Sequence, residues 1–222
     1  MGPAFSLMRT VLPALLLVAA SAADAEDIPA AVGDPPAGAY TLDKAHTSVV
    51  FRVSHLGFSM YTARFTRFEG DLLFDPDEPA KMAIVASIDA ASLETDNLDT
   101  TYDFDAILTG KDWLDAAQFP KITFKSTAIL LSGGTSAKVT GDLTMHGVTK
   151  PITLSVTYNG GYGSHPYDPG GARIGFSANG LIKRSEFGVA LGIPAPGTTM
   201  GVADDVEVII EMEFEKPAAP AQ

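Results

Sequence analysis

The chain has 222 residues, 46% of them hydrophobic, with 15 basic and 27 acidic side chains and a net charge of −12. That length holds one well-buried domain or two small ones. The charge repels phosphate backbones and anionic lipid heads, which argues against nucleic acid and against stable membrane insertion or adsorption. No cysteine is present, so disulfides and thiolate metal sites are excluded.

The N-terminus reads as a secretory signal over residues 1–25. Arg9 precedes the apolar run Val11 to Ala20, and Ala23-Asp24-Ala25 fits a cleavage site. The run is too short to span a bilayer comfortably. A periplasmic protein starting near Glu26 is expected, with an uncleaved anchor as the alternative. Removing residues 1–25 deletes Arg9 and Asp24, so the charge balance does not change. Residues 26–39, rich in Ala, Pro and Gly, read as a flexible leader, and 217–222 as a disordered tail. Residues 40–216 form one domain.

Within that domain the dominant period is two. Val49, Phe51, Val53 and His55 share one face. Phe68, Leu72 and Phe74 share a face with Gly70. Met82, Ile84, Ala86 and Ile88 follow, then Ile122, Phe124, Ser126 and Ala128. Val139, Gly141, Leu143 and Met145 come next, then Ile152, Leu154, Val156 and Tyr158, and then Ile174, Phe176, Ala178 and Gly180. In the last run Val206, Val208, Ile210, Met212 and Phe214 alternate with Glu207, Glu211, Glu213 and Glu215. Eight half-buried strands joined by Gly, Pro, Asn and Asp turns predict an all-β antiparallel sandwich or barrel.

The period breaks between Leu98 and Ala117. Phe104, Ile107 and Leu108 fall at helical spacing, which predicts a short helix over Asp99 to Leu108 capped by Gly110, with a further turn at Asp112 to Ala116. A second irregular stretch, Lys183 to Val202, is rich in Gly and Pro. These two stretches are the expected lid of a barrel.

An eight-stranded barrel either fills with side chains or keeps one small ligand. Here the expected inward rows set Gly70, Ala86, Ser126, Ala128, Gly141, Ala178 and Gly180 beside Phe51, Phe68, Phe74, Phe124 and Phe176. That mixture leaves space along the axis.

The polar residues give little support to catalysis. The four histidines, His46, His55, His146 and His165, show no metal-ligand spacing. There is no G-x-S-x-G nucleophile elbow. His55 reads as a core histidine or as a polar contact at one end of a pore. His146, beside Gly147, reads first as a turn residue. Lys183 and Arg184 face either an anionic head group or the carboxylates of Glu186 and Asp205. Trp113 plugs or lines the barrel beside Phe119, or is a core anchor where the helix meets the sheet.

Several stretches together resemble the YceI-like family of bacterial secreted proteins. They are "YTLDKAHTSVVFRVSHLGF", "FEGDLLFDP", "DWLDAAQFPKITFKST", "GDLTMHGVTKPITLSV", "IGFSANGLIKRSEFGV" and "VADDVEVIIEMEFE", from Tyr40 to about Lys216. The resemblance implies an extended eight-stranded lipocalin-like barrel with a short helix and loop lid. It also implies binding, shielding or transport of a polyisoprenoid or other long-chain lipid, often in a homodimer, with no enzymatic activity, cofactor or metal. Many relatives carry a basic residue and a His on the helix after the third strand. Here "YDFDAIL" has neither, which implies a more apolar mouth.

The expected pore lining is Phe51, Val53, His55, Phe68, Leu72, Phe74, Phe104, Ile107, Trp113, Phe119, Phe124, Leu143 and Phe176. Lys183, Arg184 and His146 are the candidates for head-group contact. The competing readings are a metal-dependent enzyme using His46, His55 and His146 with carboxylates, and a ligand-free structural barrel with a filled core.

Overall fold

The structure of the chain is a computed structural model that describes residues 30–168 and 170–217. The expected signal sequence, the first part of the leader and the tail beyond Pro217 lie outside the described residues.

Among the described residues are eleven strand segments and one short α-helix. They are β1 (Gly38–Leu42), β2 (Ser48–His55), β3 (Ser59–Phe65), β4 (Phe68–Phe74), β5 (Ala83–Asp89), β6 (Leu93–Glu94), α1 (Phe104–Thr109), β7 (Lys121–Gly133), β8 (Ser136–Met145), β9 (Val148–Tyr162), β10 (Ala172–Lys183) and β11 (Val202–Lys216). All of the strand pairs are antiparallel.

The order β1-β4-β5-β7-β8-β9-β10-β11 closes on itself through β1–β11, giving an eight-stranded antiparallel barrel. The remaining segments extend these strands. β11 pairs with β1 at Phe214 and Glu215 and with β2 from Val202 to Glu211. β1 and β2 are therefore one bent barrel strand, broken at Asp43–Thr47. β3 and β4 are likewise one strand, paired with β2 and β1 in turn. β6 prolongs β5 by two residues, opposite Arg64 and Phe65. Each of the eight alternating runs in the sequence is a strand of the barrel.

Tight turns join the long strands. β2 and β3 meet at Leu56 and Gly57, both with positive φ. β8 and β9 meet at His146 (φ 50°) and Gly147 (φ 74°), directly beside the Met145–Val148 pair. Two central residues with positive φ match the twist of the flanking strands.

One inward row departs from the alternation. A bulge between Ser126 and Ala128 shifts the β7 register. Ala128 turns outward beside Thr140, while Ile129 and Leu131 turn inward beside Val139 and Ala137. An inserted residue in one strand reverses the parity that follows it.

The leader is only partly outside the fold. Val32 pairs with Ser164, and Gly163 donates to the Gly33 carbonyl at 2.9 Å. The Tyr40 hydroxyl donates to the Pro36 carbonyl at 2.7 Å. Residues 32–37 thus run along the β9–β10 end of the barrel, held by main-chain bonds that composition does not reveal. A packed cluster including Tyr40, Phe74, Ile174 and Phe214 fills the wall at that end.

Candidate functional site: an apolar cavity along the barrel axis

A cavity of about 1100 Å³ runs inside the barrel. Its middle is lined by Phe51, Val53, Phe65, Phe68, Leu72, Ile88, Phe124, Leu143, Leu154 and Phe176, with Val208, Ile210 and Met212 from β11. At one end Asp34, Pro35, Pro76, Asp77, Gly134 and Thr135 border it. At the other stand His55, Tyr61, Asn97, Tyr102, Val189 and Val202.

The second end carries a lid. Between β6 and β7 the chain leaves the sheet and sends Phe104, Leu108, Trp113 and Leu114 to the cavity wall. Asp103 caps α1 by accepting from the Ala106 N–H at 2.9 Å. Asp105 ties the lid to β6 by accepting from the Thr95 N–H at 3.0 Å and from its hydroxyl. Phe104 meets Tyr61 of β3 edge-on, with ring centroids 5.9 Å apart.

Phe51, Val53, His55, Phe68, Leu72, Phe74, Phe104, Trp113, Phe124, Leu143 and Phe176 all border the cavity. His55 does so at the lid end, where it is exposed. Ile107 does not line the cavity, and it is exposed. The helix begins at Phe104, not at Asp99, and makes barely two turns; Phe104 and Leu108 reach the cavity wall and Ile107 does not. Phe119 also lies off the cavity. Its ring packs edge-on against His146, with centroids 4.7 Å apart, under the β8–β9 turn.

The three head-group candidates occupy other places. Lys183 points outward and pairs with Asp205 at 2.6 Å and Asp204 at 4.0 Å. Arg184 is buried and borders the cavity, but its nitrogens are engaged. Nε donates to the Ala203 carbonyl at 2.9 Å, Nη1 to Val189 at 2.8 Å and Nη2 to Val202 at 2.8 Å. Burial pushes its pKa below the ordinary arginine value, with the nearby Asp204 charge opposing that shift. His146 Nδ1 donates to the Phe187 carbonyl at 3.1 Å and does not face the cavity. His146 therefore makes the turn and ties it to the loop after β10.

His46, His55 and His146 do not converge. His46 sits in the β1–β2 bend, His55 ends β2, and His146 is in the β8–β9 turn. Among the described residues Asp43, His46 and Glu213 come close enough together for one ion, a group not visible in the sequence spacing. Arg173 stands among them: it donates to Asp43 and to Asp168, and lies 3.4 Å from Glu213.

The expected lining left out Tyr61, Leu108, Leu114, Val189 and the end residues 34–35 and 134–135. Tyr61 had a signal, since it alternates with Ala63 and Phe65, both buried. The end residues lie in loops, where no period exists to read.

A closed eight-stranded β-barrel with an apolar axial cavity and a short helical lid is the architecture of a small-ligand binder. Residues 40–214 match the YceI-like domain, and the chain belongs to that family. It is similar to a UPF0312 protein of Pseudomonas savastanoi, at 38% identity over 185 residues, covering 82% of this chain and 88% of the relative. Among solved structures it is similar to Burkholderia cenocepacia BcnA, with a TM-score of 0.64 and 30% identity, covering 78% of this chain and 98% of that one. A domain from Saccharophagus degradans described as polyisoprenoid binding shares the fold, with a TM-score of 0.55 at 17% identity, covering 80% of this chain and 98% of that one.

Proposed function

We propose that this protein binds and shields one long isoprenoid-type lipid with an uncharged head, and carries it through the periplasm. The observation that carries this reading is the axial cavity of about 1100 Å³, walled by aliphatic and aromatic side chains. At the packing density of protein interiors, about 0.75, it holds roughly 800 Å³ of ligand, on the order of eight to ten isoprene units. Each buried methylene-sized group contributes roughly 0.8 kcal/mol, so twenty carbons give on the order of 16 kcal/mol before the cost of ordering the chain. The filled-core reading finds no support in a barrel with so large a cavity.

The head group follows from electrostatics. Asp34, Glu69 and Asp77 border the cavity, and Arg184, the one Lys or Arg that lines it among the described residues, has its nitrogens on carbonyls. An anionic head would lose hydration without gaining a partner. The polyisoprenoid-binding description of the Saccharophagus domain suggests the cargo class. The signal-like N-terminus supports the periplasmic assignment, and no described helix is long and apolar enough to cross a membrane.

Native mass spectrometry of protein purified gently from a periplasmic extract, followed by organic extraction, tests the reading. A co-purifying mass with a prenyl fragmentation pattern is expected. A protein that carries no adduct and takes up no added quinone or polyprenol overturns it.

A further inference from the structure

The barrel is lined with large side chains, yet its axis is open. Two glycines in the wall lie beneath such side chains. Gly180 of β10 lies in register with Val208, which borders the cavity, so its row faces inward. A methyl at Gly180 would stand 2.6 Å from Leu154 Cδ2, so the Leu154 side chain lies over the bare backbone. Gly141 of β8 does the same for β7. A methyl there would stand 2.6 Å from Phe124 Cε2 and 2.6 Å from the Lys125 carbonyl oxygen. Gly141 and Gly180 lie inside strands and neither has a positive φ. Neither glycine is explained by a turn or a left-handed backbone.

We propose that Gly141 and Gly180 determine the bore of the cavity, and with it which chains fit. Each gives a neighbouring side chain a recess in the wall. Phe124 and Leu154 lie along the wall in these recesses and do not cross the axis. The identity of the cargo rests on the lipid-binding reading, but the geometry of the bore does not.

Gly180 is the position to test. At Gly141 an added methyl meets backbone, which a rotamer change cannot relieve. At Gly180 the closest backbone oxygen, that of Thr153, stands at an ordinary 3.5 Å, and only the Leu154 side chain must move. In Gly180→Ala, Leu154 turns into the lumen. The experiment titrates prenyl alcohols of graded length against wild type, G180A, L154V and G180A/L154A, with Trp113 fluorescence as readout. Crystals of wild type, G180A and L154V under xenon map the lumen directly.

The expected result is at least a tenfold loss of affinity for the long alcohols in G180A, with short ones unaffected and long-chain binding regained in G180A/L154A. L154V leaves the recess empty and should show new xenon density beside Gly180, which keeps the test decisive if G180A fails to fold. A folded G180A with unchanged long-chain affinity and Leu154 unmoved overturns the proposal, as does an L154V lumen no wider than wild type. If wild type binds no prenyl alcohol, the cargo reading fails. The xenon maps then decide the bore alone: Leu154 inside the lumen of G180A upholds it, and Leu154 against the wall overturns it.

Discussion

The Arg184 guanidinium lies over the Trp113 ring, 5.3 Å from its centroid, and so joins the loop after β10 to the lid. One charged group thus serves four partners: the indole face and the carbonyls of Ala203, Val189 and Val202. Removing it leaves three carbonyl oxygens without their donor. Arg184→Met should cost about 3 kcal/mol, since a buried hydrogen bond to a charged donor is worth roughly 1.5–3 kcal/mol and the losses are not additive. Arg184→Lys should recover little, because an ammonium cannot reproduce the planar fork. Urea unfolding of both variants checks this; stabilities within 0.5 kcal/mol of wild type, about the scatter of neutral surface changes, would refute the clamp.

The charge around the cavity predicts a preference among head groups. A polyprenyl phosphate should bind roughly tenfold more weakly than the alcohol of the same length, about 1.4 kcal/mol. Lys183→Ala should change neither affinity, because its ammonium is spent on Asp205 and Asp204 outside the barrel. Competition titrations at two salt concentrations measure this. Tighter binding of the phosphate, lost in K183A, would restore the head-group role for Lys183.

A second polar knot predicts acid sensitivity. Arg173, only 19% exposed, donates to Asp43 and Asp168 and joins the β1–β2 bend to the segment before β10. The Tyr162 hydroxyl and the Arg173 guanidinium hold Asp168 down at about 2. Burial alone would raise the Asp43 carboxyl, but hydrogen bonds from Arg173 and His46 outweigh it and hold it well below the usual range. Both folded pKa values lie under the unfolded value of about 3.9, so their contribution is complete above pH 4 and is lost as pH falls toward 2. For Asp168 alone this is on the order of 2 kcal/mol. Arg173→Met should lose about 3 kcal/mol at pH 7 and show a flatter stability profile between pH 5 and 2. Equal slopes for wild type and R173M in that interval would show that the knot carries no such coupling.

Much of this architecture is written in the alternation. Each run with a strict period of two, such as Val206 to Phe214, became a barrel strand with the expected face inward. The failures have local causes. β1 and β3 went unread because each is one arm of a bent strand: Gly38 to Leu42 emerges from an Ala- and Gly-rich leader, and β3 follows a three-residue turn. Ala128 was misplaced by a bulge whose extra residue leaves no mark in composition. Ile107 was misplaced because i+3 and i+4 spacing both fit one helix face, and spacing alone does not say which of Ile107 and Leu108 meets the cavity. Arg184 and Lys183 are adjacent and chemically alike, and only the register of β10 with β11 separates a buried clamp from a surface ion pair.

His146 offers the sharpest separation of structural from ligand-binding roles. It holds a left-handed backbone at φ 50°, and its ring donates to the Phe187 carbonyl from outside the cavity. In His146→Ala the strain of φ > 0 stays, roughly 1–2 kcal/mol for a residue with a β-carbon, and the bond to Phe187, about 1 kcal/mol, is lost. His146→Gly loses the same bond but relieves the backbone, and His146→Asn tolerates the conformation better than alanine. The expected stability order is wild type and Gly about level, then Asn, then Ala, with the Ala variant about 1 kcal/mol below wild type because only the bond is lost. Prenyl-alcohol affinity should be the same in all four, measured where each is fully folded. A ring that touched cargo would give the opposite pattern, in which all three variants lose affinity together whatever their backbone preference.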